Sequence, residues 1–180
     1  MAVQAASKSN SSRSQTTLKS KRRSEAELGA GFTASRHLAA ALQQMLVDLI
    51  EMSLQGKQAH WNVIGHNFRD LHLQLDEVVA VTREFGDTIA ERMRSLHVAA
   101  DGRTDTVTAT TSLPPFPAGE QNVATVVDLI TSRLHATIDT ARKIHDKVDS
   151  EDPSTADILH QVIDSLEKLA WMVGAENRRA

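Results

Sequence analysis

Apolar residues recur at helical spacing in four stretches of the chain. The stretches run from about Thr33 to His60, from after Gly65 to Ile89, from about Asn122 to Asp149, and from Asp152 to Met172. Two positions favour helix starts. Asn67 can cap the second stretch, and Asp152 precedes a proline that suits the first turn of the fourth. The pattern therefore predicts four helices.

The connections between these helices differ in length. About 25 residues, including DGRTD and LPPFPAG, separate the second helix from the third, whereas the other connections are short. Short connections favour antiparallel hairpins, and a single long crossover is typical of ferritin-like bundles. The chain is therefore predicted to be all-α. The apolar face predicted for the second helix comprises Phe68, Leu71, Leu75, Val78, Val79, Thr82, Phe85 and Ile89.

Composition is consistent with one helical domain. The 180 residues are 41% hydrophobic but only 3% aromatic, so aliphatic side chains must fill the core. The chain has no cysteine, which excludes disulfides and thiolate metal sites and suits a reducing cytoplasm. The sequence contains no run of about 18 apolar residues, so it predicts no membrane-spanning helix.

The net charge of −3 is unevenly distributed. Residues 1–23 hold six of the 20 bases, and no acid occurs before Glu25, so the remaining 14 bases face 23 acids for a balance of −9. We expect residues 1–30 to form a disordered basic tail and residues 31–177 to form the bundle domain. No apolar segment follows the bases as in a secretory signal, but a transit peptide of similar composition stays possible. The six bases are Lys8, Arg13, Lys19, Lys21, Arg22 and Arg23.

Candidate chemistry lies in residues 57–93, which mix imidazoles and carboxylates, a ligand set that suits iron and other first-row metals. At about 100° per residue, Asp76 lies roughly 40° from His72 around an ideal helix, Asp87 roughly 60° and Glu91 roughly 100°. All four therefore project from one side of the second helix. His60, near the end of the first helix, is the fifth candidate.

One chain cannot bring these ligands to one metal. His72 and Asp87 are separated by a rise of about 22 Å, whereas metal–ligand bonds are about 2 Å long. Two antiparallel copies of the helix across a two-fold axis would place His72 and Asp76 of one chain opposite Asp87 and Glu91 of the other. From geometry alone, an ordinary solvated helix face stays an alternative, with the carboxylates paired to Arg83 or Arg94.

The sequence lacks the Glu-x-x-His pairs of bundles with an internal di-iron centre. The nearest approach is Asp157 followed by His160. A metal site inside the bundle core is therefore not expected, and an interface site is favoured. The remaining histidines are interpreted as surface or structural residues without a role: His37, His66, His97, His135, His145 and His160.

The string AHWNVIGHNFRDLHLQLDE, the D-x-x-A-E-R at residues 87–92, STADIL at residues 154–159 and Trp171 together resemble the Dps family of miniferritins. The resemblance covers about residues 35–175. It implies a four-helix bundle with a short helix in the crossover, twelve subunits in a hollow shell, and ferroxidase centres with two irons at the two-fold interfaces. By matching position, His60, His72 and Asp76 would come from one subunit and Asp87 and Glu91 from its neighbour.

The activity implied by the resemblance is oxidation of Fe(II) by hydrogen peroxide and storage of Fe(III) oxyhydroxide. Trp61 matches a tryptophan beside the centre, with radical quenching as its implied role, although packing in a dimer interface would explain it equally. Acids near the last turn would line three-fold pores, which draw in ferrous ions. The pore candidates are Asp146, Asp149, Asp152 and Asp157; at least two of them are expected instead to serve only helix ends or loop solvation.

The basic tail suits non-specific DNA binding, because cationic side chains bind phosphate and release counterions. A cytoplasmic, nucleoid-associated protein that protects DNA is expected. Two alternatives stay open: a nucleoid-compacting protein with weak iron chemistry, and a bundle that only buffers metals such as zinc at the same ligands.

Overall fold

The structure, a computed structural model, describes residues 31–177. It contains, within these residues, five helices and two short strands: α1 (Arg36–Asn62), β1 (Val63–Ile64), α2 (Phe68–Ser95), α3 (Thr104–Thr110), β2 (Gln121–Asn122), α4 (Val123–Glu151) and α5 (Pro153–Ala175). The four long helices confirm the predicted bundle, and α3 is the short crossover helix that the resemblance implies. The predicted tail, residues 1–30, lies outside the described residues.

Side chains cap two of the helices. Helix α1 begins three residues later than predicted, because the Ser35 hydroxyl accepts a hydrogen bond from the Leu38 N–H at 3.1 Å. Asn122 caps α4 in the same way, accepting from the Thr125 N–H at 3.0 Å. Each cap satisfies an N–H that has no partner within its helix.

Asn67 and Asp152 are the N-cap residues of α2 and α5, as predicted, but neither side chain makes a capping hydrogen bond. Asn67 adopts a left-handed conformation, with φ of 61°, and its side chain makes no capping hydrogen bond. It suits the turn because asparagine tolerates this conformation better than most residues. Asp152 precedes Pro153, as predicted, but makes no side-chain cap either. Its carboxylate is instead bonded to Arg92 and Thr155.

The helices form two pairs, α1 with α2 and α4 with α5. Residues late in α1 contact residues early in α4, since Gln55 accepts from Arg133 and Asp48 accepts from Thr140. Helices α1 and α4 therefore run antiparallel, and the crossover must return along the bundle. The parallel pairing of β1 with β2 joins the end of α1 to the start of α4.

The core consists of the apolar faces of the four long helices, as predicted. Phe68 is the exception on α2: its side chain is 48% exposed, because residues 64–70 all lie outside the packed core. None of the described helices combines the length and the apolar character that a membrane span requires.

Two buried polar residues fix the crossover against α1 and α4. The fully buried carboxylate of Asp48 accepts hydrogen bonds from the Ser112 N–H and hydroxyl, both at 2.7 Å, and from Thr111 and Thr140. Arg133 donates to the Pro115 carbonyl at 2.9 Å and lies 5.2 Å from the ring of Phe116. These contacts leave both groups paired, as burial demands.

Candidate metal centre

His60 and His72 meet because α1 and α2 are adjacent in the bundle and joined by a short turn. His60 lies in the last turn of α1 and His72 near the start of α2, and their rings stack with centroids 3.6 Å apart. Nδ1 of each ring is 2.9 Å from the backbone oxygen of the other residue. A carbonyl oxygen only accepts, so each Nδ1 carries a proton, and Nε2 of each ring is the atom left to bind a metal.

Asp76 lies one helical turn after His72, and its Oδ1 is 3.3 Å from Nδ1 of His60. The same oxygen accepts a hydrogen bond from Lys57 at 2.6 Å. This bond is the main reason why the pKa of Asp76 lies below its ordinary value, against a smaller opposing effect of desolvation. The group is therefore an anionic carboxylate at neutral pH. The sequence analysis did not identify Lys57, whose contact depends on how α1 packs on α2.

Asp87 and Glu91 are exposed further along α2, and neither has an ion pair or side-chain hydrogen bond within residues 31–177. Because α2 is one uninterrupted helix, the rise of about 22 Å between His72 and Asp87 applies. No three histidine, aspartate or glutamate side chains of the described chain converge as a metal site. The chain thus carries two separated groups of candidate ligands: the histidine group, His60, His72 and Asp76, and the acidic group, Asp87 and Glu91.

Large apolar side chains are exposed beside the histidine group. Trp61, next to His60, is 69% exposed, and Leu73, next to His72, is 50% exposed. Leu54, seven residues before Trp61 and hence on the same face of α1, is 50% exposed. Exposed apolar side chains grouped in this way mark interaction surfaces. They are available to pack against another molecule.

The four pore candidates have different surroundings. Asp146, Asp149 and Asp157 are exposed. Asp152 is buried, and Arg92 donates to it at 2.6 Å. Burial raises the pKa of Asp152, but hydrogen bonds from Thr155 and Arg92 outweigh this effect, so that the pKa lies below its ordinary value. These contacts favour the alternative that Asp152 stabilises the start of α5.

The structure also brings together two histidines to which the sequence analysis gave no role. Nε2 of His145 on α4 is 2.7 Å from Nε2 of His160 on α5. The i, i+3 spacing of Asp157 and His160 was the only sequence signal, and it does not reveal a partner on another helix. The DNA-binding candidates lie outside the described residues: Lys8, Arg13, Lys19, Lys21, Arg22 and Arg23.

Comparison with known proteins identifies the family. A model of the ferritin-like domain matches residues 39–179. The chain is 36% identical over 138 residues to DNA protection during starvation protein 2 of Deinococcus radiodurans, a match that covers 75% of this chain and 56% of that protein. It is also 38% identical over 143 residues to the fine tangled pili major subunit of Haemophilus ducreyi, covering 79% of this chain and 76% of that one. The two names show that related chains can carry different descriptions.

Solved structures agree with the sequence matches. A crystal structure of a Dps protein from Deinococcus radiodurans superposes with a TM-score of 0.78 at 32% identity, covering 81% of this chain and 88% of that chain. The match of the ferritin-like domain over most of the chain, together with this similarity, establishes the family. The chain belongs to the ferritin-like proteins and, among them, to the Dps family.

Proposed function

We propose that this protein oxidises Fe(II) with hydrogen peroxide at centres shared between two subunits and stores the Fe(III) oxyhydroxide in a hollow homo-dodecamer. The main support for this proposal is the separation of the histidine group from the acidic group along α2. Each group is exposed or adjacent to exposed apolar surface, and neither is a complete site. A second copy packed against α1 and α2 would complete both sites at once.

The proposed ligands have distinct roles. His60 and His72 provide Nε2 atoms whose ring orientation the backbone fixes, an arrangement typical of metal-binding histidines. Asp76, Asp87 and Glu91 provide carboxylate oxygens that offset the growing positive charge as Fe(II) becomes Fe(III). Lys57 must yield Oδ1 of Asp76, or Asp76 must bind through its other oxygen. Trp61 is proposed to pack in the interface and to quench radicals.

The proposed reaction is balanced by two irons per peroxide. Two Fe(II) ions each lose one electron, the O–O bond of hydrogen peroxide accepts both, and water supplies the remaining oxygen of two FeOOH units as four protons leave. Holding the two irons together lets both electrons transfer to one peroxide, so that no hydroxyl radical is released. The chain's contribution is to position the ions and leave coordination positions open.

The DNA part of the proposal rests on the six bases of residues 1–23. Twelve copies would present roughly 70 positive charges on one shell, so that weak phosphate contacts act together. We extend this to a cytoplasmic, nucleoid-associated protein that protects DNA. Equal salt dependence of DNA mobility with and without residues 1–23 would show that the tail does not contribute to DNA binding.

The exposed acids Asp146, Asp149 and Asp157 are proposed to draw ferrous ions to the pores.

Complementation tests the shared centre directly. The His60→Ala and Asp87→Ala variants should each lack peroxide-driven iron oxidation. In a mixed dimer, one of the two centres combines the intact histidine group of one chain with the intact acidic group of the other. Random co-assembly of equal amounts should therefore restore about a quarter of the wild-type centres. No recovery in verified mixed assemblies would show that the two groups do not share a centre, and would favour DNA compaction or metal buffering.

A further inference from the structure

His145 and His160 form a second histidine pair, on a different pair of helices from the proposed iron centre. Their ring centroids are 4.5 Å apart with an interplanar angle of 32°. The side chain of His145 is 22% exposed and that of His160 is 60% exposed. The pair borders a surface cavity of about 210 Å³, which it shares with Arg142, Asp146 and Ile163.

A carboxylate lies behind each ring. Oδ1 of Asp146 is 3.2 Å from Nδ1 of His145, and Oδ1 of Asp157 is 3.7 Å from Nδ1 of His160. The Asp146 carboxylate is within hydrogen-bond distance of Nδ1 of His145 and favours a proton on that nitrogen, which leaves Nε2 of His145 as a lone pair. The Asp157 carboxylate is beyond hydrogen-bond distance of His160 and acts on that ring only through its charge. The two Nε2 atoms face each other at 2.7 Å, and His160 can direct either an N–H or a second lone pair at the lone pair of His145.

The hydrogen count of the pair is compatible with an added cation. Two neutral imidazoles carry two ring protons between them. Protons on both Nδ1 atoms leave none for the contact between the Nε2 atoms, and a proton placed there leaves one Nδ1 lone pair facing a carboxylate. One more positive charge between the rings lets both Nδ1 atoms keep a proton while the two Nε2 atoms stay joined. Either an additional proton or a metal ion can supply it.

We propose that His145 and His160 bind a divalent transition-metal ion of the class that prefers imidazole, such as Zn²⁺, Co²⁺, Ni²⁺ or Fe²⁺, between their Nε2 atoms. A tetrahedral ion with bonds of about 2.0–2.1 Å separates two ligand nitrogens by about 3.3 Å, so the rings must open by about 0.6 Å. Water fills the other positions, since no third histidine, aspartate or glutamate of the described chain converges there.

The electrostatic surroundings permit a cation. Among residues 31–177, Arg142 is the one lysine or arginine that lines the cavity, and its guanidinium is engaged by Glu167 across the two helices. Asp146 and Asp157 supply two negative charges behind the rings. The proposed site therefore combines two imidazole ligands with a net negative environment. It is complete within one chain and does not depend on the proposed ferroxidase activity.

Anomalous diffraction from wild-type crystals soaked in Zn²⁺ at about pH 7.5, above the ordinary imidazole pKa of about 6.5, tests the proposal. We expect a zinc peak about 2 Å from both Nε2 atoms. The peak should persist in the His60→Ala/Asp87→Ala variant, which lacks two of the five proposed iron ligands. Absence of zinc between these rings at a saturating concentration, or zinc held only by Asp146 or Asp157, would overturn the proposal and leave a shared proton as the explanation of the contact.

Equilibrium dialysis provides a second measurement in solution. The His145→Asn and His160→Asn variants should each bind one Zn²⁺ per chain fewer than the wild type. His135→Asn, which removes an exposed histidine of the same α4 helix, is the matched control and should bind as the wild type does. Unchanged zinc stoichiometry in both pair variants would contradict the proposal. If a pair variant fails to fold, the wild-type crystal result decides.

Discussion

The two histidine pairs of this chain are built in different ways. His60 and His72 stack face to face, and backbone oxygens of the neighbouring helix hold both Nδ1 atoms. His145 and His160 meet at their Nε2 atoms, and flexible carboxylate side chains face their Nδ1 atoms. The first pair is therefore held by main-chain atoms of the helices, whereas the second pair is held by side chains that can change rotamer.

This difference bears on what each pair can do. Ligands that are already held in position suit a centre whose remaining ligands come from another chain, because the docking of the second chain is then the only step that must place ligands accurately. The adjustable pair needs no other chain, but it offers only two ligands and should bind metal more weakly. The comparison predicts that changes at one pair leave the other pair's function intact.

The largest effect is expected for His72→Ala. The change removes a proposed ligand and leaves the His60 backbone oxygen without its hydrogen bond. Peroxide-driven iron oxidation should fall at least about 100-fold, the upper range for damage to metal-site partners. Zinc binding at His145 and His160 should be unchanged. Stopped-flow absorbance measures iron oxidation, with His135→Ala as the control. Loss of both iron oxidation and zinc binding in His72→Ala would show that the two histidine pairs are not independent.

Arg92→Ala should destabilise the start of α5, the helix that carries His160. It removes the partner of the buried Asp152 carboxylate and should cost about 2 kcal/mol at pH 7, less than a fully buried pair because Arg92 is partly exposed. Denaturant unfolding measures the cost, with Arg94→Ala, a change of an exposed arginine in the same turn, as control. Equal stability of the two variants would contradict this assignment.

The stability difference between wild type and Arg92→Ala should depend on pH in a defined direction. The pKa of Asp152 is lowered in the folded state, so its stabilising contribution is present above the unfolded pKa of about 3.9 and is lost as pH falls through the lower folded value. The wild-type advantage should therefore shrink on acidification below about pH 4. An advantage that grows on acidification would show the opposite pKa shift.

Asp146→Asn should weaken zinc binding at the second pair about 10-fold, the lower range for loss of a carboxylate that supports a ligating histidine. Competition with a chelating dye measures the affinity. Asp149→Asn removes an exposed acid of the same helix that has no such contact in the described structure, and it controls for net charge. Equal weakening in both variants would indicate a general charge effect.

Trp61→Phe should have the smallest effect. Phenylalanine retains most of the apolar surface, so assembly should lose no more than about 1.5 kcal/mol. Size-exclusion chromatography and light scattering over a dilution series measure it. If iron oxidation also proceeds normally but oxidative damage to the protein rises, Trp61 has the radical-quenching role as well. Dissociation into single chains at high concentration would mean that the indole makes a specific interface contact.

Most of the fold was predictable because helical periodicity and a single long connection are local properties of the sequence. The end of α1 and the start of α4 followed from the same pattern. The left-handed conformation of Asn67 was not predictable, because asparagine suits both a side-chain cap and a left-handed turn and only the backbone angle distinguishes them. Phe68 was misjudged because apolar spacing does not show where the packed bundle ends.

The candidate site was predictable to the extent that it lies on one helix. The angles and rise between His72 and Asp87 follow from helix geometry alone. The contacts of Lys57 with Asp76 and of His145 with His160 join different helices, and they depend on packing register, which no spacing in the sequence specifies. The burial of Asp152 likewise depends on where Arg92 of α2 meets the start of α5.

Anaerobic iron titration tests the central claim most directly. Fe(II) is added to the purified protein without oxygen, followed by hydrogen peroxide at one per two irons, while ferric absorbance is recorded. We expect rapid oxidation by the wild type and loss of this activity in the His60→Ala/Asp87→Ala variant. Oxidation by both proteins at the protein-free rate would contradict the ferroxidase assignment and would leave DNA compaction as the better explanation of the chain.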